Sequence, residues 1–120
     1  MLGHGWTDKT DKPLEIADYV GHLLDFVDSL GVERAHISGE SLGGWVAAKF
    51  AAWHPDRIGK VVLNTMGGSQ ADPKVMETIR TLSMRAAEDP SWDFIKARLE
   101  WLMADKTQVH DDLVACRQRI

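Results

Sequence analysis

Ala35-His36-Ile37-Ser38-Gly39-Glu40-Ser41-Leu42-Gly43-Gly44-Trp45-Val46-Ala47-Ala48 is the stretch that decides the fold. Its first four residues read as a short buried strand running into Gly39. Leu42 to Trp53 is rich in alanine, carries Trp45, Val46, Ala48, Phe50 and Ala52, and meets no breaker after Gly44. It reads as a largely buried helix that stops before Pro55, because the residue before a proline is pushed out of the helical region. Between them, Gly39-Glu40-Ser41-Leu42-Gly43 matches G-x-S-x-G, and a strand before with a helix after is the context that motif requires. Ser41 is then a candidate nucleophile. The turn that holds it is sharp enough to strain the backbone, and a side chain at either flanking glycine is expected to collide. The hydroxyl stands at the carboxyl edge of the sheet, beside a helix N-terminus whose dipole favours developing negative charge. The backbone N–H of Leu42 becomes one oxyanion-hole donor.

Outward from this turn, the apolar residues Leu14, Ala17, Val20, Leu23, Leu24, Val27 and Leu30 recur at three and four. They form one face of an amphipathic helix from Leu14 to Leu30, with Gly31 placed as a C-terminal cap. Met1 to Pro13 is a loop by composition. Lys60-Val61-Val62-Leu63-Asn64 is a short apolar run, read as a second parallel strand. Helix, strand, helix, strand with short connections is an α/β layer structure. After Ser69 the pattern changes. Asp72 to Glu88, Trp92 to Asp105 and Val109 to Ile120 all read as helices, and the likeliest boundary falls near residues 68 to 72. The expected division is an α/β part over 1–68 and a helical part over 69–120.

Composition narrows the function. The chain has 120 residues, 14 basic and 18 acidic, and a net charge of −4. With 44% hydrophobic and 27% charged residues it has the balance of a soluble globular domain. An acidic balance argues against nucleic acid or an anionic membrane as partner, since both need a basic face. No apolar run approaches the roughly 20 residues of a membrane span. The N-terminus lacks the basic and apolar regions of a signal peptide, so a cytoplasmic location is the default. Cys116 is the only cysteine, so no internal disulfide is expected. No His-Glu-x-x-His or Cys/His cluster is present, so no metal is expected. No Gly-Lys-Ser/Thr follows Gly39 to Gly44, so this is not a phosphate loop, and no cofactor is called for.

The sequence resembles the α/β-hydrolase fold family along its whole length. Gly3-His4-Gly5, a helix, the Ser41 turn, His54-Pro55-Asp56-Arg57-Ile58 and Val61-Val62-Leu63-Asn64 follow that family's order and spacing. Three further stretches are similar to the hydrolases that cleave carbon–carbon bonds in meta-ring-cleavage products of aromatic or steroid degradation. They are Val62 to Gly68, Arg98-Leu99-Glu100-Trp101-Leu102-Met103-Ala104-Asp105, and Asp111-Asp112-Leu113-Val114. The resemblance implies a serine-nucleophile hydrolase of 2-hydroxy-6-oxo-hexa-2,4-dienoates, with the helical part as its cap and a small molecule as its partner. It implies Ser41 as nucleophile and the Leu42 N–H as oxyanion donor. It implies that Arg117, with Arg119 as a nearby alternative, binds the substrate carboxylate, for which a bidentate guanidinium is suited. Glu40 departs from the family, several of whose members carry Asn there. An acidic group beside the serine works against an anionic substrate unless it points away or is paired.

The triad in this family runs Ser, then Asp or Glu, then His, with the last two after the cap. The chain is therefore expected to be an internal piece of a longer hydrolase, lacking earlier strands and everything after the cap. None of its histidines substitutes for the missing base. His54 lies about 13 residues and about 18 Å from Ser41, at the far end of the helix. His4 is structural in the family, His36 is a packed or edge residue, and His22 and His110 are exposed helix positions. Trp45 and Trp53 are read as core. Trp92 and Trp101 either line a substrate cavity or pack between cap helices, Trp6 covers the sheet edge, and Met76, Met84 and Met103 are packing residues. Two other readings stand beside the first: an esterase or lactonase on the same fold, and a non-catalytic fragment or interaction module. In the last, open sheet edges invite strand pairing, and homo-oligomerisation with it.

Overall fold

A computed structural model describes residues 1–69 and 72–119. The chain divides into two compact units, 1–69 and 70–120.

In the first unit, α1 (Ile16–Ser29) precedes β1 (Ala35–Glu40), α2 (Leu42–Trp53), a 3-10 turn (Pro55–Arg57) and β2 (Ile58–Asn64). The helix begins two residues later than its apolar periodicity suggests. The reason is local: the Asp18 carboxylate accepts the Glu15 N–H at 2.7 Å, which fixes the start. Its end follows the glycine signal. Gly31 has φ +65°, Gly31 N–H donates to Asp28 C=O, and Val32 N–H donates to Val27 C=O. That pair of bonds is a Schellman cap.

β1 and β2 are parallel neighbours, with Ile37 opposite Val61, Gly39 opposite Leu63 and Glu40 opposite Asn64. The pairing carries β1 two residues past Ser38 and starts β2 two residues before Lys60. Burial alternates along β1, so the strand is covered on one face and is not the doubly buried strand its sequence suggests. Val62 is 60% exposed and Leu63 44%. Their composition is that of a strand covered on both faces, and only one face is covered among the described residues. The register slips between Ala35 and Ile37, and His36 fills the irregularity. Its Nδ1 accepts the Lys60 N–H at 2.8 Å, and a Cβ at Gly59 would overlap its ring. His36 is therefore structural, as expected.

The core of this unit is Val20 and Val27 of α1 against Val46 and Phe50 of α2, with Ile37 and Ile58 packed from the strands. Arg57 ties the connections together. It pairs with Asp28 at 2.5 Å and donates to the carbonyls of Glu33 and Val32. Trp45 is half-buried, but Trp53 is half-exposed and lies under the Lys49 ammonium at 5.4 Å. The expectation that Trp53 is core is corrected: at the last residue of α2 it lies beyond the packed Val46–Phe50 stripe. Trp6 is 98% exposed and covers nothing among the described residues. His22 is half-buried rather than exposed.

The second unit holds α3 (Pro73–Glu88), α4 (Trp92–Leu102), a 3-10 turn (Lys106–Gln108) and α5 (Asp111–Gln118). Asp72 caps α3, accepting from the N–H groups of Lys74 and Val75. Ile95, Val109 and Val114 form the core, with Ala86, Trp92 and Leu99 around it. Met76, Met84 and Met103 are exposed among the described residues, not packed. The helix expected to run to Asp105 stops at Leu102. Asp105 instead accepts from the Thr107 N–H at 2.9 Å and its hydroxyl at 2.6 Å. A short acidic side chain that binds nearby backbone competes with helix in this way. The last helix begins at Asp111, and Ile120 lies outside the described residues.

The hydrogen bonds from Thr107 hold the Asp105 carboxyl below its ordinary value. A depressed acid stabilises the fold above its unfolded pKa of about 3.9 and loses that contribution as pH falls through the lower folded value. A carbon-detected titration of Asp105 is expected to give a midpoint below that of an unstructured Asp. Replacing Thr107 with Val, which removes the hydroxyl and keeps the N–H, should move the midpoint up, and an unchanged midpoint would show that the Thr107 hydroxyl does not hold the carboxylate.

Candidate active site

The site is built where β1 ends and α2 begins. Ser41 has φ +52° and ψ −117°, a conformation that costs a non-glycine residue of order 1–3 kcal/mol. Serine usually caps a helix with its own hydroxyl, but from the extended region. Here the backbone is elsewhere, and Ser41 makes no capping hydrogen bond. The hydroxyl is left on an exposed residue at the helix N-terminus.

The strain is held from several sides. Ser41 N–H donates to Asn64 C=O at 3.1 Å, the next strand's end. Ser41 C=O accepts from Trp45 N–H at 3.1 Å and from Gly67 N–H at 2.8 Å. The Met66–Gly68 turn therefore closes directly onto the serine. At Gly68, φ is +80° and a Cβ would come within 2.5 Å of the Trp45 ring. Thr65, between β2 and this turn, is the other non-glycine residue with positive φ among the described residues, at +41°.

Gly39 and Gly43 are not equivalent. A Cβ at Gly39 would overlap the Gly43 carbonyl, whereas a Cβ at Gly43 meets nothing within 4 Å. The expectation that both flanking glycines avoid a collision holds only for the first. The second tight position is Gly44, whose Cβ would lie 3.1 Å from both Gly39 O and Met66 Cα. The physical cause is the first turn of α2, which brings the Gly43 carbonyl and the Gly44 backbone against Gly39 and leaves open space beside Gly43 Cα.

Leu42 is the first residue of α2, so its N–H has no intrahelical acceptor. Glu40 ends β1 and is exposed, with no ion pair among the described residues. His54 caps the far end of α2 and its ring packs on Phe50 at 5.1 Å. His4 Nδ1 lies 2.8 Å from the Leu2 carbonyl. Among the described residues no group of three His, Cys, Asp or Glu side chains is placed to hold a metal ion. No helix there is long and apolar enough to cross a membrane.

In the second unit, Arg117 lies in the last turn of α5 and is exposed. Arg119 is already engaged, its Nε donating to Ala115 C=O at 3.3 Å. Trp101 is 39% exposed, so packing between helices does not bury it. The Arg98 guanidinium lies 5.3 Å over its ring. Arg98 opens one of the stretches similar to the meta-cleavage hydrolases, but no spacing or composition marks it out as a site residue. Its one sign is a positive charge on the helix that also carries Ile95 and Leu99.

Residues 1–100 match the alpha/beta hydrolase fold family. A 2-hydroxy-6-oxo-6-phenylhexa-2,4-dienoate hydrolase of Comamonas testosteroni is 37% identical over 94 residues, 76% of this chain and 32% of that protein. A 2-hydroxy-6-oxononadienedioate/2-hydroxy-6-oxononatrienedioate hydrolase of Paraburkholderia phymatum is 37% identical over 98 residues, 79% of this chain and 34% of that protein. The meta-cleavage product hydrolase CumD of Pseudomonas fluorescens IP01 superposes with a TM-score of 0.81 at 26% identity. That match covers 98% of this chain and 42% of CumD. The chain thus spans about a third of the length of the curated relatives it matches. With a parallel strand pair, a strained serine between strand and helix, and a family match over residues 1–100, the chain belongs to the alpha/beta hydrolase fold family.

Proposed function

We propose that the protein carrying this chain hydrolyses a carbon–carbon bond in a 2-hydroxy-6-oxo-dienoate, with Ser41 at the centre of the reaction. The strained Ser41 backbone carries the reading, because a serine held at positive φ beside a helix N-terminus, with its hydroxyl spared from capping, is arranged for attack. The names of the relatives at 37% identity support the substrate class. In this reading the substrate first ketonises. Ser41, or a water it positions, then attacks the carbonyl, and a base outside the described residues takes the proton. The Leu42 N–H helps to hold the oxyanion. The carbon–carbon bond breaks with its electron pair leaving on the other fragment, which takes up a proton as 2-hydroxypentadienoate. Water supplies the oxygen of the carboxylic acid, either as the attacking group itself or by hydrolysing the acyl ester on Ser41. The second unit acts as a cap, and Arg117 binds the substrate carboxylate.

A substrate panel tests this. Loss of the conjugated dienoate absorbance is expected with kcat/KM at least about tenfold above that for simple p-nitrophenyl esters, a difference of about 1.4 kcal/mol in transition-state binding. Faster turnover of the esters would transfer the protein to ester or lactone hydrolysis on the same serine.

A further inference from the structure

Glu40 is the last residue of β1 and the covalent neighbour of Ser41. Burial alternates along β1, with Ile37 packed against the core of α1 and α2. Glu40 therefore shares the opposite, exposed face with His36 and Ser38. It stands across from Asn64, whose carbonyl accepts the Ser41 N–H at 3.1 Å. The Glu40 side chain has neither an ion pair nor a hydrogen bond among the described residues. An unpaired carboxylate thus stands at the carboxyl edge of the sheet, one Cα step of about 3.8 Å from the serine. We propose that Glu40 is a specificity-determining residue that keeps a second carboxylate off the acyl side of the substrate, so that the protein takes dienoates whose ketone carries an uncharged group. The inference rests on the dienoate reading above.

The chemistry of the substrates shows why the second carboxylate matters. In a 2-hydroxy-6-oxononadienedioate the ketone is C6 and the carboxylates are C1 and C9. C9 lies three bonds from the carbon that is attacked, and C1 lies five. The second charge therefore comes closer to the serine, and to Glu40 beside it, than the first. In the proposed reading Arg117 binds the first. A phenyl group at C6 brings no charge there. Two like charges about 6 Å apart, at an effective dielectric of about 20, repel by more than the equivalent of tenfold in an equilibrium constant. The curated relatives at 37% identity divide on this point, one named for a 6-phenyl dienoate and one for dioates. Glu40 favours the uncharged group of the first.

The test compares kcat/KM for the 6-phenyl dienoate and the nonadienedioate, using the full protein that carries this chain. The parent is expected to prefer the phenyl substrate by about tenfold or more, and Glu40→Gln to narrow that ratio by about tenfold. Glu40→Asp retains the charge and is expected to keep most of the preference. Added salt should narrow the ratio in the parent more than in Glu40→Gln, because screening acts where the charge is present. Should Glu40→Gln fail to fold, the salt response of the parent and the Glu40→Asp ratio decide. The proposal falls if the parent prefers the dioate, or if the ratio is the same in parent and Glu40→Gln. A carboxylate that only complements the N-terminus of α2 would lower the melting midpoint on substitution and leave the ratio unmoved, which also overturns the proposal. p-Nitrophenyl butyrate and mono-p-nitrophenyl succinate present the same contrast on an ester, since succinyl is the acyl group of the dioate. If the dienoates are inert while Glu40→Gln narrows the butyrate-to-succinate ratio, the dienoate reading fails and the role of Glu40 stands. Dienoate turnover with a ratio indifferent to Glu40 does the reverse.

Discussion

Ser41→Ala is expected to lower kcat for the dienoate by on the order of 10³-fold or more, the scale of losing a nucleophile in a serine hydrolase. The folded state should hardly notice. Ser41 makes no capping hydrogen bond, it is exposed, and alanine bears the same backbone penalty at φ +52° that serine does. A steady-state assay beside a thermal melt separates the two effects: activity collapses while the midpoint stays within a few degrees. The Ser41 carbonyl and N–H, which hold the turn through Gly67, Trp45 and Asn64, are untouched by the change. Retention of more than about a tenth of kcat, on a scale where tenfold is 1.4 kcal/mol, would remove Ser41 from the reacting atoms.

Gly39→Ala is expected to destabilise the first unit by about 3 kcal/mol, the upper range for forcing an atom into a packed site. The added Cβ would overlap the Gly43 carbonyl, and the Gly43 carbonyl carbon and Gly44 nitrogen lie just behind it. These are backbone atoms at the start of α2, so relief requires the helix to move off the strand. Moving it would pull Trp45 from Ser41 C=O and open the packing of Val46 and Phe50. Gly43→Ala is the matching control. Its Cβ meets nothing within 4 Å, and Gly43 lies in the first turn of α2, where alanine is favoured over glycine by at most the roughly 1 kcal/mol of a helix interior. Urea denaturation should therefore place Gly39→Ala well below the parent and Gly43→Ala level with it or slightly above. Equal losses in both would mean that the two glycines serve the turn symmetrically and that the approach of α2 to β1 is not what selects Gly39.

Ser41 and its helix were legible because the signal is local. G-x-S-x-G between an apolar strand and an alanine-rich helix specifies a turn through a few adjacent residues, and adjacency is what a sequence records. The α1 cap at Gly31 was legible for the same reason. Strand ends were not, because β1 reaches Glu40 and β2 starts at Ile58 through pairing with each other. The exposure of Trp53 and of the three methionines is not legible in sequence, because composition says which residues favour a core and not which face meets one. The end of α4 at Leu102 is not legible either, because Asp105 engages Thr107, a competition that apolar periodicity does not register.

The sequence by itself determined the parallel α/β arrangement, the serine between strand and helix, and the change to helices after residue 69. Each follows from period, propensity or steric need within a short window. The tertiary structure alone decided which glycines the turn requires, that Met66–Gly68 closes on Ser41, and that Arg98 Nη1 is buried with no hydrogen-bond partner among the described residues. Those features depend on distances between atoms far apart along the chain, and such distances exist only once the apolar faces of the helices have found what they pack against.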